Sequence, residues 1–228
     1  MAARESVLQR ARKIGETSLA QSIGNETRSA RFLRVLVVGF LVLWVLLAIA
    51  PRHRADWFVE NLLVFALGAF LIWARRRLQF STLAYTLIFA FLVLHTIGAH
   101  YTYSETPIGD WLRDSLSLER NHYDRFVHFC YGLLMYLPIW EVIRKTAHVG
   151  RAWSSAFTIA SIVFFSSFYE ILEWCAAQIL SPDTAMAYLG TQGDVFDAQK
   201  DMLLAMAGGV LAFVAQLLAN RRRPIPRR

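Results

Sequence analysis

The chain has 228 residues, a net charge of +7, 56% hydrophobic residues and a mean hydropathy of +0.37. A soluble domain is roughly half apolar and about a quarter charged; at 18% charged this chain is too apolar for one, and its length suits a bundle of helices that each cross a bilayer in about 20 residues. The basic excess is what the cytoplasmic loops of a membrane protein supply and makes no case for a nucleic-acid partner. The two cysteines, Cys130 and Cys175, both sit in apolar segments and argue against a disulfide framework.

In chain order, residues 1–31 form a basic N-terminal segment. Its partial apolar stripe (Val7, Ala11, Ile14) suits either a solvated tail or a helix lying on the membrane surface. Six apolar segments follow within a transmembrane domain spanning 32–220: about Phe32–Ala50, Trp57–Ala74, Phe80–Ala99, Phe126–Ile143, Trp153–Leu180 and Met202–Asn220. Ala48-Ile49-Ala50 mimics a signal-peptide cleavage site, but the polar stretch before the first segment is too long for a signal peptide, and Pro51 would follow the cut. The segment is read as a retained span. No two-residue alternation recurs, so a barrel is not expected. Backbone polar groups cannot stay unpaired in lipid, so each segment is expected to be a helix. The loop from His100 to Tyr123 carries Tyr101, Tyr103 and Trp111, which favour the bilayer interface. Its Pro107 and Gly109 argue against one continuous helix there. It reads as an interfacial connector or as a lid. A basic tail, 221–228, closes the chain.

Orientation follows from Lys and Arg. With the N-terminus in the cytoplasm, 18 of the 24 basic residues fall on the cytoplasmic side, among them Arg75, Arg76, Arg77, Arg144, Lys145 and the tail arginines. The other side keeps Arg52, Arg54, Arg113, Arg120, Arg125 and Lys200. The expected architecture is therefore an all-α, polytopic, six-helix membrane protein with both termini cytoplasmic.

Ionisable residues inside apolar segments cost several kcal/mol unless partnered or hydrated, and so mark a functional site. With this topology they gather at the outer end. His95 and His100 close the third segment, Asp124 and His128 open the fourth, Glu170 and Glu173 lie in the outer half of the fifth, and Asp194, Asp197 and Asp201 open the sixth. Asp124 and His128 are four residues apart, Glu170 and Glu173 three, and the Asp trio three and four, so each set shares a helix face. Carboxylates and imidazoles from facing helices are how bundles hold metal ions. Oxygen ligands suit Mg²⁺, Ca²⁺ or Mn²⁺, and adding His admits Zn²⁺ or Fe²⁺. The candidate ligands are His128, Glu170, Glu173, Asp194, Asp197 and Asp201, and the candidate catalytic residues are Asp124, His128 and Glu173. A buried salt-bridge network is the alternative, with Arg120, Arg125 and Lys200 pairing the acids. A proton or cation pathway is a third reading. Gly208 and Gly209 with Ala205 and Ala212 fit close helix packing. Glu141 near Arg144 and Lys145 reads as a surface ion pair.

The stretches Asn121-His122-Tyr123-Asp124-Arg125-Phe126-Val127-His128-Phe129, Tyr169-Glu170-Ile171-Leu172-Glu173-Trp174 and Gly190-Thr191-Gln192-Gly193-Asp194 through Asp201-Met202 resemble the YjdF-like bacterial inner-membrane proteins. His95 through Tyr103 fits the same pattern. More distantly, Asp124-x-x-x-His128, the Glu of the next helix and the Asp-rich start of the last look like the VanZ-like family. The resemblance implies a multi-pass protein of the bacterial inner membrane and singles out the same residues, without implying a substrate. The functional expectation is an acidic and histidine site at the outer leaflet, holding a divalent metal and acting on a lipid or lipid-linked envelope molecule. The alternatives are a cation- or proton-coupled transporter and a non-catalytic membrane scaffold.

Overall fold

The computed structural model describes residues 29–178 and 189–221. The expected basic N-terminal segment and most of the C-terminal tail lie outside those residues. Seven α-helices and no strand occur among the described residues: α1 (Ser29–Leu47), α2 (Arg54–Ala74), α3 (Thr82–Tyr101), α4 (Pro107–Leu116), α5 (Tyr123–Thr146), α6 (Arg151–Ala177) and α7 (Asp197–Arg221). All but α4 are long and apolar enough to cross a bilayer. The chain divides into two compact units, Met1–Leu41 and Val42–Arg228. The described part of the first is the start of α1, whose Val35, Val37, Val38 and Leu41 are exposed. An exposed apolar surface of that kind is a liability in water and the normal state in lipid.

In the second unit α5 is central and packs against α3, α6 and α7. Its closest approach is to α7, and small residues permit it. A Cβ on Gly132 would land on the Ala205 carbonyl oxygen, and one on Gly208 on that of Phe129. Tyr136, Ile162 and Ala205 form the buried centre where α5, α6 and α7 meet. A second cluster, Ala74, Leu78, Phe80 and Ala84, closes the turn from α2 to α3. Glu141 belongs to that end. It is buried, accepts from the Ser81 backbone N–H at 2.9 Å and pairs with Lys145 at 3.2 Å. It ties α5 to the start of α3, which corrects the reading as a surface pair.

Two boundaries move in ways that matter for the site. α5 starts three residues before Phe126 and α7 five before Met202. Hydropathy locates where lipid contact begins, whereas a helix needs only its hydrogen-bond ladder, which runs on through a polar first turn. Asp124, Asp197 and Asp201 are thus all helical. Pro107 begins α4 at a first-turn position, where its missing N–H goes unused.

Candidate functional site

The ends of α2, α5, α6 and α7 that face the α3–α4 connection carry the acidic residues. Two separate arrangements occur there. The first is an ion-pair network. Arg120, in the turn before α5, points both terminal nitrogens at Asp197, at 2.5 and 3.0 Å. The same nitrogens donate to the carbonyls of Thr191 and Gly190, each at 3.1 Å. Arg125 bridges Asp194 at 2.5 Å and Asp197 at 2.8 Å, and Lys200 adds a third cation to Asp194. A forked Arg–carboxylate pair fixes orientation as well as charge. Asp194 also accepts from the Phe196 backbone N–H. The Lys200 ammonium, that backbone hydrogen bond and Arg125 hold its carboxyl well below the usual carboxylate range. His122 is shifted down too, first by burial and then by Arg125 and Arg120 beside it.

In the second arrangement no Lys or Arg among the described residues forms an ion pair with the acids. Asp124, His128 and Asp201 bring one donor atom each to within 4.8 Å of the others. His128 Nε2 lies 3.6 Å from Asp124 Oδ1 and 3.3 Å from Glu170 Oε1, both longer than a good N–H···O hydrogen bond. Asp201 is 2% exposed, and its Oδ1 is buried with no hydrogen-bond partner among the described residues. Glu170 Oε1 is likewise buried without one. Leaving such atoms unsatisfied costs about 1–3 kcal/mol each, more when charged. Donors sharing one cation at about 2.1 Å sit roughly 3–3.5 Å apart. The His128–Glu170 separation falls in that range and the His128–Asp124 separation just beyond it, and a triad edge at the 4.8 Å limit would need to contract by about an ångström. Glu173, one turn on from Glu170, interacts with it.

A family described as "Predicted membrane protein (DUF2238)" matches residues 32–222, which takes in all six spans and both arrangements apart from the first residues of α1. The chain belongs to the DUF2238 family. It is 32% identical over 167 residues to the inner membrane protein YjdF of Escherichia coli (strain K12), covering 73% of this chain and 79% of that one. No solved structure matches it.

Within this DUF2238 chain the two other candidate histidines, His95 and His100, are held by backbone carbonyls. His95 Nε2 lies 3.0 Å from the Glu60 carbonyl and so carries the proton, leaving Nδ1 to accept from the Tyr103 hydroxyl at 2.5 Å. His100 Nδ1 donates to the Leu47 carbonyl at 2.8 Å. Neither joins the Asp124–His128–Asp201 group.

Residues of α2 enlarge the site beyond the sequence reading. Glu60 is buried and accepts from the Tyr169 hydroxyl, which joins α2 to α6 directly beside Glu170. Burial pushes the Tyr103 hydroxyl pKa up, and the charges of Glu60, Asp124 and Glu173 push it the same way. Asp56 and Asn61 are buried on the same helix. Asn61 accepts from Trp44 Nε1 at 2.5 Å and donates to the Trp57 carbonyl at 2.6 Å. The signal was present: Glu60 and Asn61 interrupt an apolar segment just as Glu170 does.

Proposed function

We propose that this protein sits in the bacterial inner membrane and binds a divalent cation through Asp124, His128 and Asp201, with Glu170 as a fourth donor. The observation that carries this reading is the buried, unpartnered Asp201 Oδ1 beside an imidazole and a second carboxylate. A cation supplies the missing partner. Six crossings return the chain to the side on which it starts, and the arginine distribution makes that side the cytoplasm. The site then lies at the outer leaflet.

A cation there would acidify a bound water and stabilise developing negative charge. The chain's own contribution is to orient His128 between Asp124 and Glu170. The Arg120–Asp197 fork holds the start of α7 in register. A group reacting at this depth is the polar end of a lipid or lipid-linked envelope molecule, because its apolar part has the bilayer beside the bundle. Asp194 and Asp197 keep their arginines and serve as structure in this reading, not as ligands.

The test is metal content after purification in chelator-free detergent, with titration of Mn²⁺, Zn²⁺ and Mg²⁺ into the stripped protein. About one equivalent per chain is expected for the wild type and for Glu141→Gln, and none for Asp201→Asn or His128→Ala. Retention of metal by folded Asp201→Asn, or no binding by the wild type, refutes the reading.

A further inference from the structure

We infer that α4 is docked on the bilayer surface at the acidic end of the bundle, its apolar stripe in the lipid interface, and that this docking positions the Arg120–Asn121 segment over the site. The inference rests on the six spans and is independent of the metal reading. Ile108, Trp111, Leu112 and Leu116 recur at helical spacing on one side of α4, and all four are exposed, Trp111 by 62% and Leu116 by 63%. Arg113, Asp110 and Asp114 form ion pairs on the remaining surface. An apolar stripe with a tryptophan opposite a charged face is the composition of a helix lying in an interface.

The occupant of that stripe follows from the chain's reach. Five residues separate α3 from α4, and six separate α4 from α5. At about 3.3–3.6 Å per residue step, neither link extends past roughly 25 Å, so α4 stays beside the ends of two membrane spans. The bilayer already surrounds those spans.

The other side of α4 is clamped to the site. Asn121 donates to the Thr106 carbonyl and to Asp110 Oδ1, each at 3.1 Å. A Cβ on Gly109 would collide with the Asn121 amide, so glycine lets the helix seat there. The Asn121 backbone N–H donates to Gln192 Oε1 at 2.9 Å, and its neighbour Arg120 holds Asp197. The helix is thus fixed by its first turn to the residues that order the start of α7.

The test uses the full chain in phosphatidylethanolamine–phosphatidylglycerol nanodiscs, in a Cys130→Ala, Cys175→Ser background. Single nitroxides are introduced through Ile108→Cys, Leu112→Cys, Leu116→Cys and, as the polar-face reference, Asp114→Cys. All four positions are exposed, so labelling leaves the packing intact. Power saturation with oxygen and a nickel chelate is expected to give a several-fold higher oxygen-to-nickel ratio on the stripe than at 114. Adding Asn121→Ala is expected to shrink that contrast. Equal nickel accessibility at all four positions overturns the docking. A short distance between Leu116→Cys labels on two copies also overturns it, assigning the face to a second chain. An undiminished contrast with Asn121→Ala overturns the coupling to the site.

Discussion

The sharpest consequence of the ion-pair network concerns Arg120 and Asp197. Their side chains are 7% and 5% exposed, so solvent screens the pair little. Removing one partner of a buried pair costs about 3–5 kcal/mol, because the other charge stays buried and uncompensated. The two single variants should differ within that range. Arg120→Leu leaves Asp197 with Arg125 at 2.8 Å and falls near the lower end, about 3 kcal/mol. Asp197→Leu leaves Arg120 with only two backbone carbonyls and Asp194 at 3.9 Å and takes one of two carboxylates from Arg125, so it falls near the upper end, about 5 kcal/mol. For a chain of this size each kcal/mol moves Tm by about 2–4 °C, giving losses of roughly 6–12 °C and 10–20 °C. The double variant removes both buried charges and should lose less than Asp197→Leu alone, a coupling of about 3 kcal/mol or more. Thermal unfolding in one detergent, followed by tryptophan fluorescence, measures all four species. Additive single effects, or an Arg120→Leu shift below about 2 °C, refute the pairing as the source of order at the start of α7.

The helix crossing yields a ranking of glycines. Gly132→Ala forces its Cβ onto a backbone oxygen and should cost about 1–3 kcal/mol or more, whereas Gly209→Ala meets only the Ile162 Cδ1 end at 2.9 Å and should cost less; Gly68→Ala meets nothing within 4 Å and should be neutral or gain up to about 1 kcal/mol, all read as Tm. Asp194 has a folded-state pKa below its unfolded value, so its contribution is complete above about pH 4 and is lost as pH falls from there through the lowered value. Unfolding measured against pH should therefore show a steeper loss below pH about 4 for the wild type than for Asp194→Asn. Glu141→Ala removes the acceptor of the Ser81 N–H and the partner of Lys145, and should lower stability by about 1–3 kcal/mol without altering metal content.

How far the sequence reaches is clearest from the acids themselves. Asp124, Glu170 and Asp201 are legible because each breaks an apolar run at helical spacing, and the positive-inside count puts all three at one depth. The division of the Asp trio is not legible. Asp197 and Asp201 share a helix face by spacing, yet one is paired with arginine and the other is not. What separates them is Arg120, 77 residues from Asp197, whose position depends on the turn before α5 and on the clamp at Asn121. Glu60 was legible by the rule that singles out Glu170, but it lies close to the polar start of its segment and reads there as part of the flanking turn. α4 hid for a related reason: proline and glycine punctuate loops in general, and only the structure turns Pro107 into a helix start and Gly109 into a seat for Asn121.

The two arrangements explain each other. Carboxylates crowded at one end of an apolar bundle repel, and burial raises the cost of every charge. Arg120, Arg125 and Lys200 are directed at Asp194 and Asp197, and among the described residues no Lys or Arg pairs with Asp124, Glu170 or Asp201. A purely structural network would gain by spreading its three cations over all the acids. Concentrating them on two aspartates leaves a compact group of uncompensated donors around His128 and fixes the backbone on which Asp201 rides one turn later. That division of charge fits the cation site proposed above. It also sets the decisive comparison: neutralising Asp197 should lower stability, whereas neutralising Asp201 should abolish cation binding and relieve repulsion, leaving stability in the stripped protein unchanged or higher.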